Sequence, residues 1–282
     1  MSSKIAVVTG ASSGIGLLSA VELAKDGFFI VATMRDPGRR QHLDEAAQAA
    51  GVQEKIEVRQ LDITQFASLP QAVAAIIRDH QRIDVLLNNA GFAMSGFAED
   101  MRLEEIRQQF ETNFFGHVAM TQAVLPVMRK QCSGHIIMTS SISGLVGQPV
   151  VSSYSASKFA LEGWSEVLRI ETHSLGIRVV LVEPGAFKTD IWDRNVRIGA
   201  FALTPESPNH ERARRFAQWV QKDVHKRDAR EVARLIARIA RDPNPSLRYR
   251  IGRDATVQYW LRKLVPWKTY EKMVAKATRI DC

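Results

Sequence analysis

Cysteine is nearly absent: Cys132 and Cys282 are the only two in 282 residues. Two thiols cannot build the disulfide framework of a small secreted fold. Neither stands in a Cys/His cluster spaced for a metal, so both read as ordinary thiols and no metal is expected. Long apolar runs are missing too, and none approaches the 18 or so residues of a membrane span. There are no repeats or low-complexity tracts. The amino end, Met1-Ser2-Ser3-Lys4, enters an apolar run almost at once, so no secretory leader is expected and the cytoplasm is the expected compartment. With 45% hydrophobic and 24% charged residues, the chain suits one soluble domain, here 1–282, with a sizeable core.

Short apolar runs alternate with stretches of helical period. Ile5 to Thr9, Phe28 to Thr33, Ile56 to Leu61, Val85 to Asn88, His135 to Thr139, Val179 to Val182 and Leu247 to Ile251 read as seven strands, most of them apolar as buried parallel strands are. Leu69 to His80, Leu103 to Arg129 and Ser157 to Ser174 read as helices. The expectation is an α/β fold: a doubly wound, seven-stranded parallel sheet of Rossmann type with helices on both faces.

Between the first strand and the first helix lies Thr9-Gly10-Ala11-Ser12-Ser13-Gly14-Ile15-Gly16. Glycines at such a turn allow tight backbone geometry and let a pyrophosphate reach the N–H groups of a helix N-terminus, where the helix dipole favours an anion. The spacing, Gly10-x3-Gly14-x-Gly16, is not the common G-x-G-x-x-G, and a ligand-free glycine turn would look similar. Far downstream, Tyr154 and Lys158 stand four apart. On a helix they share one face, so the Lys158 ammonium can stabilise the Tyr154 phenolate and make the phenol an acid–base group. Ser141 follows the fifth strand, at the carboxyl edge where open α/β sheets bind ligands.

Taken together, these motifs resemble the short-chain dehydrogenase/reductase family over roughly residues 4 to 190. Thr9-Gly10-x3-Gly14-x-Gly16 is similar to its cofactor loop, and Asn88-Asn89-Ala90-Gly91 to the segment that supports the central sheet and the adenosine side. Asn113, Ser141, Tyr154 and Lys158 are similar to its catalytic tetrad, and Pro184-Gly185 with Thr189 to its carboxamide loop. The stretch Tyr154 to Gly163 looks most like the hydroxysteroid and retinol dehydrogenases. The resemblance implies hydride transfer between a nicotinamide and a carbonyl or alcohol carbon. Tyr154 would be the proton donor or acceptor, and Lys158 would lower its pKa and bond the nicotinamide ribose. Ser141 would hold the carbonyl oxygen, while Asn113 would kink a helix and anchor a relay water. It further implies cofactor contacts from Gly10, Ser12, Ser13, Gly14, Ile15, Gly16, Asn89, Ala90 and Gly91, and from Asp62 and Ile63 after the third strand, although Asp62 could equally cap a helix.

Strand two ends Ala32-Thr33-Met34-Arg35-Asp36, with Met34 at the family's acidic position. Arg35 could pair with the 2′-phosphate of NADP, helped by Ser12, so NADP (NADPH) is favoured; Asp36 turned toward the ribose would instead favour NAD. Residues from about 190 to 225 read as a substrate lid. Phe187, Trp192 and Phe201 suggest an apolar pocket for a steroid-, retinoid- or fatty-carbonyl-like substrate held with Ser141 and Tyr154, whereas Phe216, Trp219 and Val220 can equally be the buried stripe of a short helix. A basic extension runs from about residue 253. Residues 191–282 carry 21 Lys+Arg against 10 Asp+Glu, and residues 1–190 carry 17 against 20. Arginines interleaved through the last third fit solvated helix faces, so no nucleic-acid partner is expected. A weak membrane-surface association through this region stays open. A homodimer or homotetramer is expected. Two other functions compete: a catalytically silent cofactor-binding regulator, and a reductase of a different small carbonyl compound.

Overall fold

A computed structural model describes residues 3–189, 196–202, 204–223, 226–278 and 280. The strands are β1 (Ile5–Thr9), β2 (Phe29–Met34), β3 (Ile56–Gln60), β4 (Val85–Asn88), β5 (Ala93–Ser95), β6 (Gly134–Thr139), β7 (Ile177–Pro184), β8 (Phe187–Lys188), β9 (Val196–Ile198), β10 (Arg227–Asp228) and β11 (Arg248–Ile251). The helices are α1 (Gly14–Lys25), α2 (Gln41–Ala49), α3 (Leu69–His80), α4 (Leu103–Phe110), α5 (Gly116–Gln131), α6 (Ser152–Thr172), α7 (His210–Asp223), α8 (Arg230–Arg241), α9 (Arg253–Leu264) and α10 (Trp267–Thr278).

Among the described residues the main sheet has seven strands in the order β11-β7-β6-β4-β1-β2-β3, and every pairing is parallel. Its strands are those expected from the apolar runs, with ends displaced by one or two residues. Side chains alternate between two cores. Ala6 and Val8 of β1, Ile137 of β6 and Val180 and Val182 of β7 pack with α1 and α8 on one face; Ile5, Val7, Ile136, Met138, Val179 and Leu181 pack with α3, α5 and α6 on the other. Each large aliphatic side chain so buried contributes about 1.5–3 kcal/mol, which is why the central strands carry almost no polar residue. The winding direction reverses between β1 and β4, and a crevice opens at their carboxyl ends.

Two helices depart from the sequence reading. The stretch expected as one helix from Leu103 to Arg129 is α4 and α5 joined by a π-helical turn, Glu111–Phe115. The Asn113 side chain, tied to the Phe92 backbone, accommodates the inserted residue. Helix α6 begins at Ser152 rather than Ser157, so Tyr154 lies within its first turn.

On α8, Val232, Leu235, Ile236 and Ile239 are buried while Arg230, Arg234, Arg238 and Arg241 face solvent, so that share of the basic excess is a solvated helix face. No described helix is long and apolar enough to cross a membrane.

Candidate active site

The Gly10 backbone takes φ +68°, and a Cβ there would lie 2.7 Å from the Ala90 Cα. A Cβ on Gly16 would meet the Gly10 carbonyl oxygen at 2.3 Å and Asn89 Nδ2 at 2.4 Å. Only glycine lets the loop fold this tightly before α1 starts at Gly14, which itself has φ +56°. Asn89 locks the loop to β4: its Nδ2 donates to the Thr9 and Gly10 carbonyls at 3.0 and 3.3 Å, while the Asn89 and Ala90 amides donate to Thr9 Oγ1. The result is a row of backbone N–H groups at a helix N-terminus, suited to a pyrophosphate.

At the far end of β2 two arginines line the cleft, Arg35 and Arg39. Nothing in the sequence singles out Arg39, although the Pro37-Gly38 turn that carries it is legible there. Asp36 Oδ1 accepts the Gly38 amide at 2.9 Å, capping that turn. The Asp62 Oδ1 atom accepts from the amide and hydroxyl of Thr64 at 3.0 and 2.8 Å, so Asp62 shapes a turn as well as lining the cleft.

Ser141, Tyr154 and Lys158 line the same cleft, whose volume is about 350 Å³. Lys158 is buried, and its Nζ donates to the Thr139 carbonyl at 2.7 Å and lies 5.8 Å from the centroid of the Tyr154 ring. Burial pulls its pKa down to about 8, against the raising effect of Glu162. Burial pushes the Tyr154 phenol up to about 12, opposed by a hydrogen bond with Ser141. Within the protein, then, desolvation outweighs the expected lowering by Lys158, and Ser141 supplies the opposing effect. Asn113 sits behind the cleft, fully buried: its Oδ1 accepts the Phe92 amide at 3.2 Å and its Nδ2 donates to the Phe92 carbonyl at 3.0 Å. One turn on, His117 bonds the Ala90 carbonyl through Nε2 at 2.7 Å; burial, then Lys158, hold its pKa at about 3, so it is neutral.

Pro184, Gly185, Phe187 and Thr189 form the opposite wall. The Ala186 amide donates to Asp254 Oδ2 at 2.6 Å, and a Cβ on Gly185 would meet that oxygen at 2.2 Å. Of the remaining expected site residues, Ser12, Ser13, Gly14, Ile15, Ile63, Asn89, Ala90 and Gly91 line the cleft, Gly16 packs beneath the loop, and Trp192 lies outside the described residues. Phe201 is 40% exposed and does not line the cleft; Phe216 and Trp219 stack on each other at 5.5 Å on α7. Phe92, Thr112 and Arg197 line the cleft without having been expected. Arg197 reaches it because β9 pairs with β5, and its guanidinium sits 4.3 Å from the Phe92 ring centroid.

A family model described as short chain dehydrogenase matches residues 4–197. The chain is 43% identical over 281 residues to an uncharacterized oxidoreductase, YusZ, of Bacillus subtilis, covering 98% of this chain and 99% of that one. It is 37% identical to a 3-ketodihydrosphingosine reductase of Bacteroides thetaiotaomicron (99% and 98% covered) and 35% identical to 17-beta-hydroxysteroid dehydrogenase type 1 of Mus musculus (88% and 74%). Among solved structures it is similar to a short-chain dehydrogenase from Streptomyces avermitilis, with TM-score 0.82, 30% identity and coverage of 99% and 97%. A metagenomic short-chain oxidoreductase in complex with NADP matches with TM-score 0.69 and 25% identity over 89% and 96% of the two chains. The chain belongs to the short-chain dehydrogenase/reductase family. It is an NAD(P)-dependent oxidoreductase acting on CH–OH or C=O groups.

Proposed function

We propose that the protein is an NADP-dependent oxidoreductase of apolar ketones, aldehydes or alcohols, of steroid, retinoid or fatty-carbonyl type. The observation that carries the cofactor reading is the end of β2, where Arg35 and Arg39 line the cleft while the Asp36 carboxylate is engaged by Gly38. Asp36 is not among the residues lining the cleft, whereas the two guanidinium groups that do line it attract a 2′-phosphate. The substrate reading is supported by the aromatic walls, Phe92 and Phe187, and by relatives named for a ketosphingoid base and for hydroxysteroids.

The glycine loop and α1 would hold the pyrophosphate, Arg35 and Arg39 the 2′-phosphate, Lys158 the nicotinamide ribose, and Pro184, Gly185 and Thr189 the carboxamide. When bound, the nicotinamide supplies or accepts the hydride. Ser141 holds the substrate oxygen toward Tyr154, and Tyr154 gives that oxygen a proton in reduction or removes one in oxidation. Asn113 keeps the π-helical turn in place and with it the floor of the site. The described residues 196–202 and 204–223 would cover the substrate as part of a lid. Support comes from the described part: β9 lies on β5, and the Ala200 amide is tied to Glu105 Oε1 at 2.9 Å. The test is a panel of carbonyl compounds followed by NADPH absorbance. Each added buried methylene contributes about 0.8 kcal/mol, so kcat/KM is expected to climb with hydrocarbon size. Preference for sugars or short hydroxy acids overturns the apolar reading.

A further inference from the structure

Glu162 stands one helical turn beyond Lys158 on α6, on the same face, and is only 4% exposed. A buried carboxylate is costly unless cations and hydrogen bonds compensate it. Here partial compensation comes from the last strand of the sheet, while burial still holds the Glu162 carboxyl above its usual range. Arg248 of β11 reaches Glu162 Oε2 with Nη2 at 3.0 Å and Nε at 3.1 Å, and the Ser140 hydroxyl lies beside the carboxylate. The same guanidinium contacts Glu166 Oε1 at 2.7 Å and Glu183 Oε1 at 3.1 Å; Arg250 contacts Glu183 Oε2 at 3.2 Å. Glu183 of β7 is fully buried, and burial with Glu162 nearby pushes its pKa up to about 7 against the lowering effect of Arg248 and Arg250; Glu166 is half exposed.

The surroundings of Lys158 are otherwise poor in charge. From α5 it faces His117, which is neutral; from β6 the Thr139 carbonyl; from its own helix Tyr154 and Glu162. Among the described residues, the carboxylate acting on Lys158 is Glu162.

We propose that Glu162 is a positioning residue for the reaction: its buried carboxylate, fixed by Arg248, keeps the Lys158 ammonium charged beside Tyr154. Strand β11, outside the span matched by the family model, thereby tunes the acid–base centre. This rests on the roles given above to Tyr154 and Lys158.

Burial lowers Lys158 to about 8 and Glu162 opposes that, so removing the carboxylate lets Lys158 lose its proton at lower pH. The test is kcat/KM for NADPH, which reports the free enzyme's groups, measured from about pH 6 to about pH 10. Glu162→Gln is expected to move the alkaline limb down by about one unit. That is a loss of about tenfold above the limb, with the rate at the acid end within about threefold of wild type. NADPH affinity by fluorescence titration is expected to shift with pH in the same sense. Glu162→Asp, which keeps the charge, and Glu166→Gln, which alters only the half-exposed carboxylate, should leave the limb in place. Glu162→Met covers the case in which the amide disturbs folding, since a buried ion can often be replaced by an apolar residue, and Arg248 keeps Glu166 and Glu183. A limb unmoved in both Gln and Met variants overturns the proposal, even if the rate falls uniformly. Tyr154→Phe, assayed alongside, separates the two levels. Retained turnover there sinks the tetrad reading, whereas lost turnover with an unmoved Glu162→Gln limb sinks only the role of Glu162.

Discussion

Tyr154 shows why a site residue is defined by its surroundings rather than by its type. Its phenol is fully buried and held up to about 12, so as a donor it keeps its proton until charge develops on the substrate oxygen. Tyr154→Phe preserves the ring packing and removes only that proton. We expect turnover to fall by about 100-fold or more while NADPH binding, followed by fluorescence titration, stays close to wild type. We propose that cofactor choice rests on two exposed arginines, Arg35 and Arg39. NADPH should bind more tightly than NADH by roughly 1.5–3 kcal/mol, and Arg35→Ala should remove most of that gap. With Arg39 lining the same cleft, the double replacement Arg35→Ala with Arg39→Ala should remove the rest. Equal affinity of the two cofactors for the wild-type chain would hand control of the ribose to Asp36.

At the scale of elements, α9 governs the wall of the cleft that its own sequence gives no hint of touching. Asp254, in its first turn, accepts the Ala186 amide, and Gly185 and Gly252 leave the carboxylate its space: a Cβ on either would lie within 2.5 Å of it. Asp254→Asn weakens a charge-assisted bond without changing the side chain's size. The expected result is NADPH affinity lowered about three- to tenfold with kcat changed less, read from a KM-against-kcat split. Gly185→Ala, driven into the same carboxylate, should be the more severe of the two.

For the whole molecule, the pattern of exposed apolar groups supports an oligomer. Phe159, Val167 and Ile170 run down one face of α6 with Gly163 between them, and Phe115 adds to the exposed apolar set; Ile170 is 77% exposed. We propose that this face meets a second copy. The double replacement Val167→Glu with Ile170→Glu is expected to halve the mass seen in sedimentation while leaving the secondary structure intact. An unchanged mass would place the subunit contact elsewhere.

The sequence by itself determined the sheet and the glycine turn, and it named Asn113, Ser141, Tyr154 and Lys158 as candidates for one site. The apolar runs of β1, β2, β4, β6 and β7 suit buried parallel strands, with β3 and β11 half-buried at the two edges, and the glycines and the Tyr154–Lys158 spacing are local patterns that one turn of chain makes readable. Residues that reach the cleft across long separations were not readable in that way. Asp254 meets Ala186 because β11 pairs with β7, Arg197 meets Phe92 because β9 pairs with β5, and Arg248 meets Glu162 because the last strand passes behind α6. The protonation of Tyr154 and Lys158 was likewise settled only by the fold, since the desolvation that sets it exists once the helices have closed over them and not before.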